Sequence, residues 1–355
     1  MNLGFECYRK KLCKHAFVCR GCGLGMVIAS FALNVALALV SNQELRYDEA
    51  LVGKFDWIYR WVDHYQNPLV EAPEKDDWVA DPAVLMPSES PDGKWHMFCS
   101  GRGIKHFISE DGIKWKFHCL ALQEGYSPFI FKENDLFWLF YQVGVGRHRE
   151  TAIVCRPSKD LHNWGERKLI LVGEHMWERG IFGEPYVRNP CVIKVGDEYW
   201  LYYSGGYILL PDTGYEEPSF VCLARSKNLL GPYEKYPKPI ISPRLTDRWR
   251  NLGAGAMKVY KIGGIFVGFN NGIYWGEDLH SHSAIHALVS NDGINWFDSP
   301  RNPILAPSEK GWKRSHVYQV DCKIVGNELW LFYNARDGWT EATERIGLAI
   351  CKMPR

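Results

Sequence analysis

Three carboxylates, Asp81, Glu184 and Asp321, stand where the sequence suggests acid–base chemistry. A carboxylate that stays ionised can activate water or attack an electrophilic carbon, and one that keeps its proton can protonate a leaving oxygen. Asp81 opens the apolar run Trp78-Val79-Ala80-Asp81-Pro82-Ala83-Val84-Leu85. The run reads as a buried strand whose first residues reach a surface. Its grammar recurs in Tyr126-Ser127-Pro128, Arg188-Asn189-Pro190, Gly253-Ala254-Gly255 and Tyr318-Gln319-Val320, so the positions equivalent to Asp81 are Ser127, Asn189, Gly255 and Gln319. An acid alone among its repeat partners is a candidate base or nucleophile; the other reading is a carboxylate capping the turn before Pro82.

Glu184 lies near Arg188 in the loop ahead of the third unit and reads as a proton donor or as a surface ion-pair partner. Asp321 follows Gln319 by two residues, so strand alternation turns it the same way, as a second catalytic carboxylate or a hydrogen-bonded core acid. Trp78, Ser127, Arg188, Asn189, His316, Tyr318, Gln319 and Arg336 are the candidate substrate contacts. Glu277, His280, His282 and His286 match no specific ligand spacing, so no metal is assigned to them. No cofactor is expected, although an ion on the axis of a ring of strands stays open. A phosphate-cradling glycine loop and a nucleophile elbow are both absent from the sequence.

Five aromatic strands position these residues: Trp95–Cys99, Phe137–Tyr141, Tyr199–Tyr203, Ile265–Phe269 and Leu329–Tyr333. Each follows a turn such as Pro91-Asp92-Gly93 or Val195-Gly196-Asp197, which makes the first two strands of every unit a hairpin. After a third strand comes a Ser-x-Asp-Gly-x-x-Trp turn, nearly identical in Ser109–Trp115 and Ser290–Trp296, with looser copies at Ser158–Trp164 and Ser226–Tyr233. Near-equivalent copies point to a structural motif. Asn302–Pro307 and Lys238–Pro243 supply outer strands, and Asn67–Pro73 carries the same pattern ahead of the first unit. The expected fold is an all-β, five-bladed β-propeller with four-stranded blades, its ring closed by an N-terminal strand pairing with the last blade.

Formal net charge is +1 and no long basic run occurs, which argues against a nucleic-acid partner. Residues 1–40 combine Arg9, Lys10, Lys11, Lys14 and Arg20 with an apolar run from Gly23 to Val40, so they read as a signal peptide or an uncleaved signal anchor. Residues 41–66 form a lead-in and residues 67–355 the propeller. Secretion, an extracytoplasmic site or membrane attachment through that first segment is expected. Against it, the seven cysteines from Cys99 to Cys351 sit mostly in apolar strands, as buried thiols do.

Over about residues 67–355 the chain resembles the five-bladed β-propeller glycosidases, the clan of arabinanases, β-xylosidases and invertase-like enzymes, most like glycoside hydrolase family 43. The carriers are Asp81-Pro82, the Tyr-Trp-Leu-Tyr-Tyr type of strand and the Ser-x-Asp-Gly-x-x-Trp turns. The resemblance implies hydrolysis of a small or terminal sugar linkage, with Asp81 as base or nucleophile. The family's third-blade Asp falls on Asn189, and its fourth-blade Glu, the proton donor, falls near Gly253–Gly255, where no acid stands. The donor is then Glu184, Asp321 or His316, or the chain is a carbohydrate-binding propeller without catalysis.

Overall fold

The computed structural model describes residues 45–145 and 149–354; the targeting reading of residues 1–40 lies outside them. No helix among the described residues is long and apolar enough to cross a membrane. A short helix α1 (Glu49–Lys54), capped by Asp48, and a 3-10 turn (Asp56–Tyr59) precede β1 (Trp61–Asp63). Apart from one 3-10 turn (Met176–Glu178), the regular structure after them is β, and its repeats produce the propeller-like arrangement.

The first unit holds β2 (Ala80–Leu85), β3 (Trp95–Gly101), β4 (Gly103–Ser109) and β5 (Lys116–Leu122). The second holds β6 (Tyr126–Glu133), β7 (Leu136–Gly144), β8 (Thr151–Ser158) and β9 (Lys168–Val172). The third holds β10 (Val187–Val195), β11 (Glu198–Leu209), β12 (Glu216–Ser226) and β13 (Glu234–Lys235). Each is a four-stranded antiparallel sheet in sequence order. The fourth, β14 (Met257–Ile262), β15 (Ile265–Trp275) and β16 (Ser281–Ser290), meets the fifth through one parallel bridge, Ser283 to His316. The fifth holds β17 (His316–Val325), β18 (Glu328–Arg336) and β19 (Glu344–Lys352), with β1 on its outer edge.

The predicted outer strands are shorter than their sequence pattern. Ile241, Leu305 and Val70 each make a single bridge, to Val221, Ile285 and Ile346, because proline on either side supplies no N–H to extend the ladder. The longer outer pairing of the fifth unit comes from the lead-in, where Trp61–Asp63 pairs with Ala349–Cys351. Aromatic rings of the second strands fill the seams: Trp95 stacks on Trp330 at 5.7 Å and Trp200 on Phe266 at 5.8 Å. The inner strands pack side by side, β2 against β6 and β17, β10 against β6 and β14, and β14 against β17. Their first residues therefore converge.

Candidate active site

Four of the five inner strands begin with the same distortion. Asp81, Ser127, Asn189 and Gly255 have φ of 52°, 52°, 56° and 73°, in the left-handed region. Proline follows three of them. It removes a ladder donor and bars the ordinary α conformation for the residue before it, so the pairing breaks. The register shifts between Ala80 and Ala83, Tyr126 and Phe129, and Arg188 and Cys191, and again between Val317 and Val320. Such a bulge re-aims a side chain. Here it aims several at one another.

The Asp81 Oδ2 accepts from Ser100 Oγ at 2.6 Å and from Ser127 Oγ at 3.2 Å. Ser127 Oγ accepts from Asn189 Nδ2 at 3.0 Å, and Asn189 Oδ1 accepts from Arg188 Nε at 3.1 Å. One polar line thus runs from Arg188 to Asp81. On the other side the Asp81 amide donates to Asn334 Oδ1 at 3.1 Å, and Asn334 Nδ2 donates to Glu344 Oε2 at 2.9 Å. The carboxylate of Asp81 stays partly exposed at the end of both lines.

Two further acids share this neighbourhood. Glu217, at the start of β12, is buried, accepts from the Tyr318 hydroxyl at 2.9 Å and lies 3.9 Å from Arg188 Nη2. Burial pushes its carboxyl up to about 7; Arg188, Tyr318 and Arg336 pull it down and the charge of Asp81 pushes it up. Glu344, at the start of β19, is pushed up to about 8 by burial, against Arg336, with Asp81 and Glu217 adding repulsion. Asp81, Glu217 and Glu344 therefore form one interacting set of acids around Arg188 and Arg336. Sequence reasoning singled out neither Glu217 nor Glu344. The available signal was the alternation Glu217, Ser219, Val221, which puts that acid on one face with core residues.

The other candidates fall into two groups. Ser127, Arg188, Asn189 and Tyr318 belong to the set just described. Buried His316 stacks on Tyr318 at 5.2 Å with 7° between the rings, and burial with Arg336 holds it neutral. Gln319 Nε2, Arg336 Nε and Nη1, and His316 Nδ1 are buried with no protein partner. The Arg336 guanidinium lies 3.9 Å over the Tyr215 ring. Trp78 is half-buried beside the Asp77–Lys105 ion pair.

Glu184 and Asp321 are engaged elsewhere. Glu184 accepts from the Tyr207 hydroxyl at 2.7 Å and from the Phe182 amide at 3.0 Å, which closes its own loop. Asp321 accepts from the Val84 amide at 2.6 Å and the Tyr260 hydroxyl at 2.7 Å, joining β17 to β2 and β14. The alternation argument that set Asp321 beside Gln319 crosses the bulge at Tyr318 and Gln319, where pairing is interrupted. Glu277 is exposed, and the buried ring nitrogens of His286 find no protein partner. Beside His316, whose ring is 6.3 Å from that of His282, opens a cavity of about 650 Å³ lined by Trp249, Tyr274, His282, Arg314 and Trp339. Its indole and phenol faces suit the apolar faces of sugar rings.

No protein-family model matches the chain. It is 21% identical to the extracellular exo-α-(1→5)-L-arabinofuranosidase of Cellvibrio japonicus, over 69% of this chain and 88% of that protein. Among solved structures, the α-L-arabinofuranosidase of Podospora anserina in complex with cellotriose superposes with a TM-score of 0.60 at 18% identity, covering 81% of this chain and 96% of that one. The catalytic domain of the Coprinopsis cinerea α-L-arabinofuranosidase superposes with a TM-score of 0.59 at 17% identity, covering 82% and 96%. The likeness to propeller glycosidases thus holds at the level of the fold.

Proposed function

We propose that the chain is a glycoside hydrolase that cleaves a small or terminal glycosidic linkage, with Asp81 as the base and Glu217 as the proton donor. The carrying observation is the coupling of a partly exposed, serine-held carboxylate with a buried acid that Tyr318 and Arg188 hold within reach of its charge. The frame is a five-bladed propeller whose ring closes through β1 and Val70 on the fifth blade, a reading supported by the inner-strand packing and by the Trp95–Trp330 stack.

Ser100 and Ser127 donate to one oxygen of Asp81, which leaves the other to take a proton from water. Glu217 keeps its proton near neutral pH and passes it to the departing oxygen. Arg188 and Tyr318 then stabilise the carboxylate that remains. Glu344, through Asn334, fixes the amide of Asp81. The unpartnered donors of Arg336 and Gln319 take sugar hydroxyls, and the aromatic cavity takes the rest of the saccharide. Direct displacement calls for about 6.5–9.5 Å between the two carboxyls and inverts the anomeric centre. No cofactor is required. The relatives' names make L-arabinofuranosides the first substrates to try, and the basic-apolar N-terminal segment supports an extracytoplasmic location.

The test is turnover of an aryl glycoside panel, arabinofuranosides first, by the full chain and by Asp81→Asn and Glu217→Gln. Turnover lost in both variants, with product NMR showing the inverted anomer, is the expected result. Wild-type silence with glycan binding detectable by calorimetry would overturn hydrolysis. It would favour a binding propeller, which the absence of an acid at Gly255 also suggests.

A further inference from the structure

A second cluster of chemistry-bearing side chains lies away from the axis, on the seam between the first and second units. His106 on β4, His118 on β5 and His162 in the turn after β8 place one ligand nitrogen each within 4.8 Å of the others. Their ring centroids are 5.2, 5.6 and 5.0 Å apart. Among the described residues this is the one group of three or more His, Cys, Asp or Glu side chains that meets so closely. His162 is also an exception within a repeat. Its turn copies Ser109–Trp115 and Ser290–Trp296, and Ile113 and Ile294 occupy the position that His162 takes.

The buried member is oriented by a relay. Asp92 Oδ1 lies 2.8 Å from His96 Nε2, and His96 Nδ1 lies 2.8 Å from His106 Nε2. Burial alone would raise the Asp92 pKa, yet the His96 hydrogen bond and the Lys94 amide hold it below the usual carboxylate range. An ionised Asp92 accepts, so His96 carries its proton on Nε2 and accepts at Nδ1 from the Nε2–H of His106. That tautomer leaves Nδ1 of His106 unprotonated, with only the weak Cys119 thiol 3.9 Å away as its partner. Phe98 stacks on the same ring at 4.2 Å and fixes its plane. A carboxylate-to-histidine relay behind a ligand imidazole is the arrangement that orients metal-binding histidines.

We propose that His106, His118 and His162 form a site for a borderline divalent transition-metal ion such as zinc, clamping the first unit to the second. Three neutral imidazoles suit zinc, copper or nickel and not the oxygen-seeking calcium or magnesium. Zinc–nitrogen bonds of about 2.1 Å put ligand nitrogens roughly 3.4 Å apart. His118 and His162 are exposed, so rotation of their side chains closes the present spacing around the fixed His106. Cys119 Sγ, 3.9 Å from His106 Nδ1, stands at hand for a fourth position. The ion would tie residues 44 positions apart in sequence, and so resist separation of the two sheets.

The test uses the chelator-stripped full chain, titrated with zinc chloride by calorimetry and with cobalt(II) by visible absorption. One equivalent should bind, with the d–d bands of an imidazole-ligated cobalt(II) and a zinc-dependent rise in Tm. His118→Ala/His162→Ala, confined to exposed positions, should lower the affinity at least about 100-fold and abolish the Tm rise, while Asp92→Asn should weaken binding about tenfold at unchanged stoichiometry. Wild-type protein that binds no zinc, or that titrates identically to the double variant, would overturn the proposal.

Discussion

The inner-strand openings and the Ser-x-Asp turns are both repeated, yet they diverge in opposite ways. In the turns the side chains repeat along with the backbone. Ser109, Ser158 and Ser290 each accept from the amide three residues on at 2.9 Å, and Asp111, Asp160 and Asp292 each accept from the next two amides but one. At the openings the backbone repeats while the side chain changes from Asp to Ser, Asn and Gly. A geometry that recurs with its side chains serves the fold. A geometry that recurs while its side chains differ is a frame for something else, and at these openings the differing atoms face one another.

The largest expected effect sharpens the functional half of that contrast. Wild-type activity should fall as pH rises through about 7, where Glu217 loses its proton. Glu217→Gln should lose about 10²–10⁴-fold in kcat/KM on poor leaving groups and show no such alkaline limb; an unchanged pH–rate profile would move the donor elsewhere. Next comes the frame itself. A Cβ at Gly255 would sit 1.5 Å from the Asn271 carbonyl oxygen, whereas Gly93, with the same φ of 73°, has open space. Urea titration should show Gly255→Ala costing roughly 2–3 kcal/mol and Gly93→Ala about 1 kcal/mol. Equal costs would mean that the fourth opening is not sterically closed to side chains.

Glu344 tests the acids through stability. Its folded pKa is raised above the usual 4.5 to about 8, so its contribution is complete below about pH 4.5 and is lost as pH climbs through about 8. Glu344→Gln should therefore gain in Tm over wild type as pH goes from 5 to 9, by a few degrees at the alkaline end. A constant difference across that range would place Glu344 in solvent. The smallest effect belongs to the turns. Ser290→Ala removes a hydroxyl that accepts two amides and donates to Asp292, and should cost about 1 kcal/mol in urea titration with kcat unchanged. A loss of turnover without loss of stability would give the turn a role in the site.

Much of this fold was legible because its causes are local. Alternating aromatic strands, Asp-Gly and Gly-Asp turns, and an X-Pro pair at the head of three inner strands each act within a few residues, so a linear reading finds them. The exception at Asp81 was legible for the same reason. The proton donor was not. Glu217 and Glu344 lie at the heads of a third and a last strand, their ionisation depends on burial, on Arg336 and on the charge of Asp81, and Asp81 stands more than 100 residues from either of them in sequence. Glu184 and Asp321 illustrate the converse, since nothing in their neighbours' sequence shows that Tyr207 and Tyr260 engage them. The sequence by itself determined the β-repeats and the odd acid, because strand period and turn chemistry are short-range. Tertiary structure alone decided which acids meet Asp81, because desolvation and Coulomb interaction are set by distance in space.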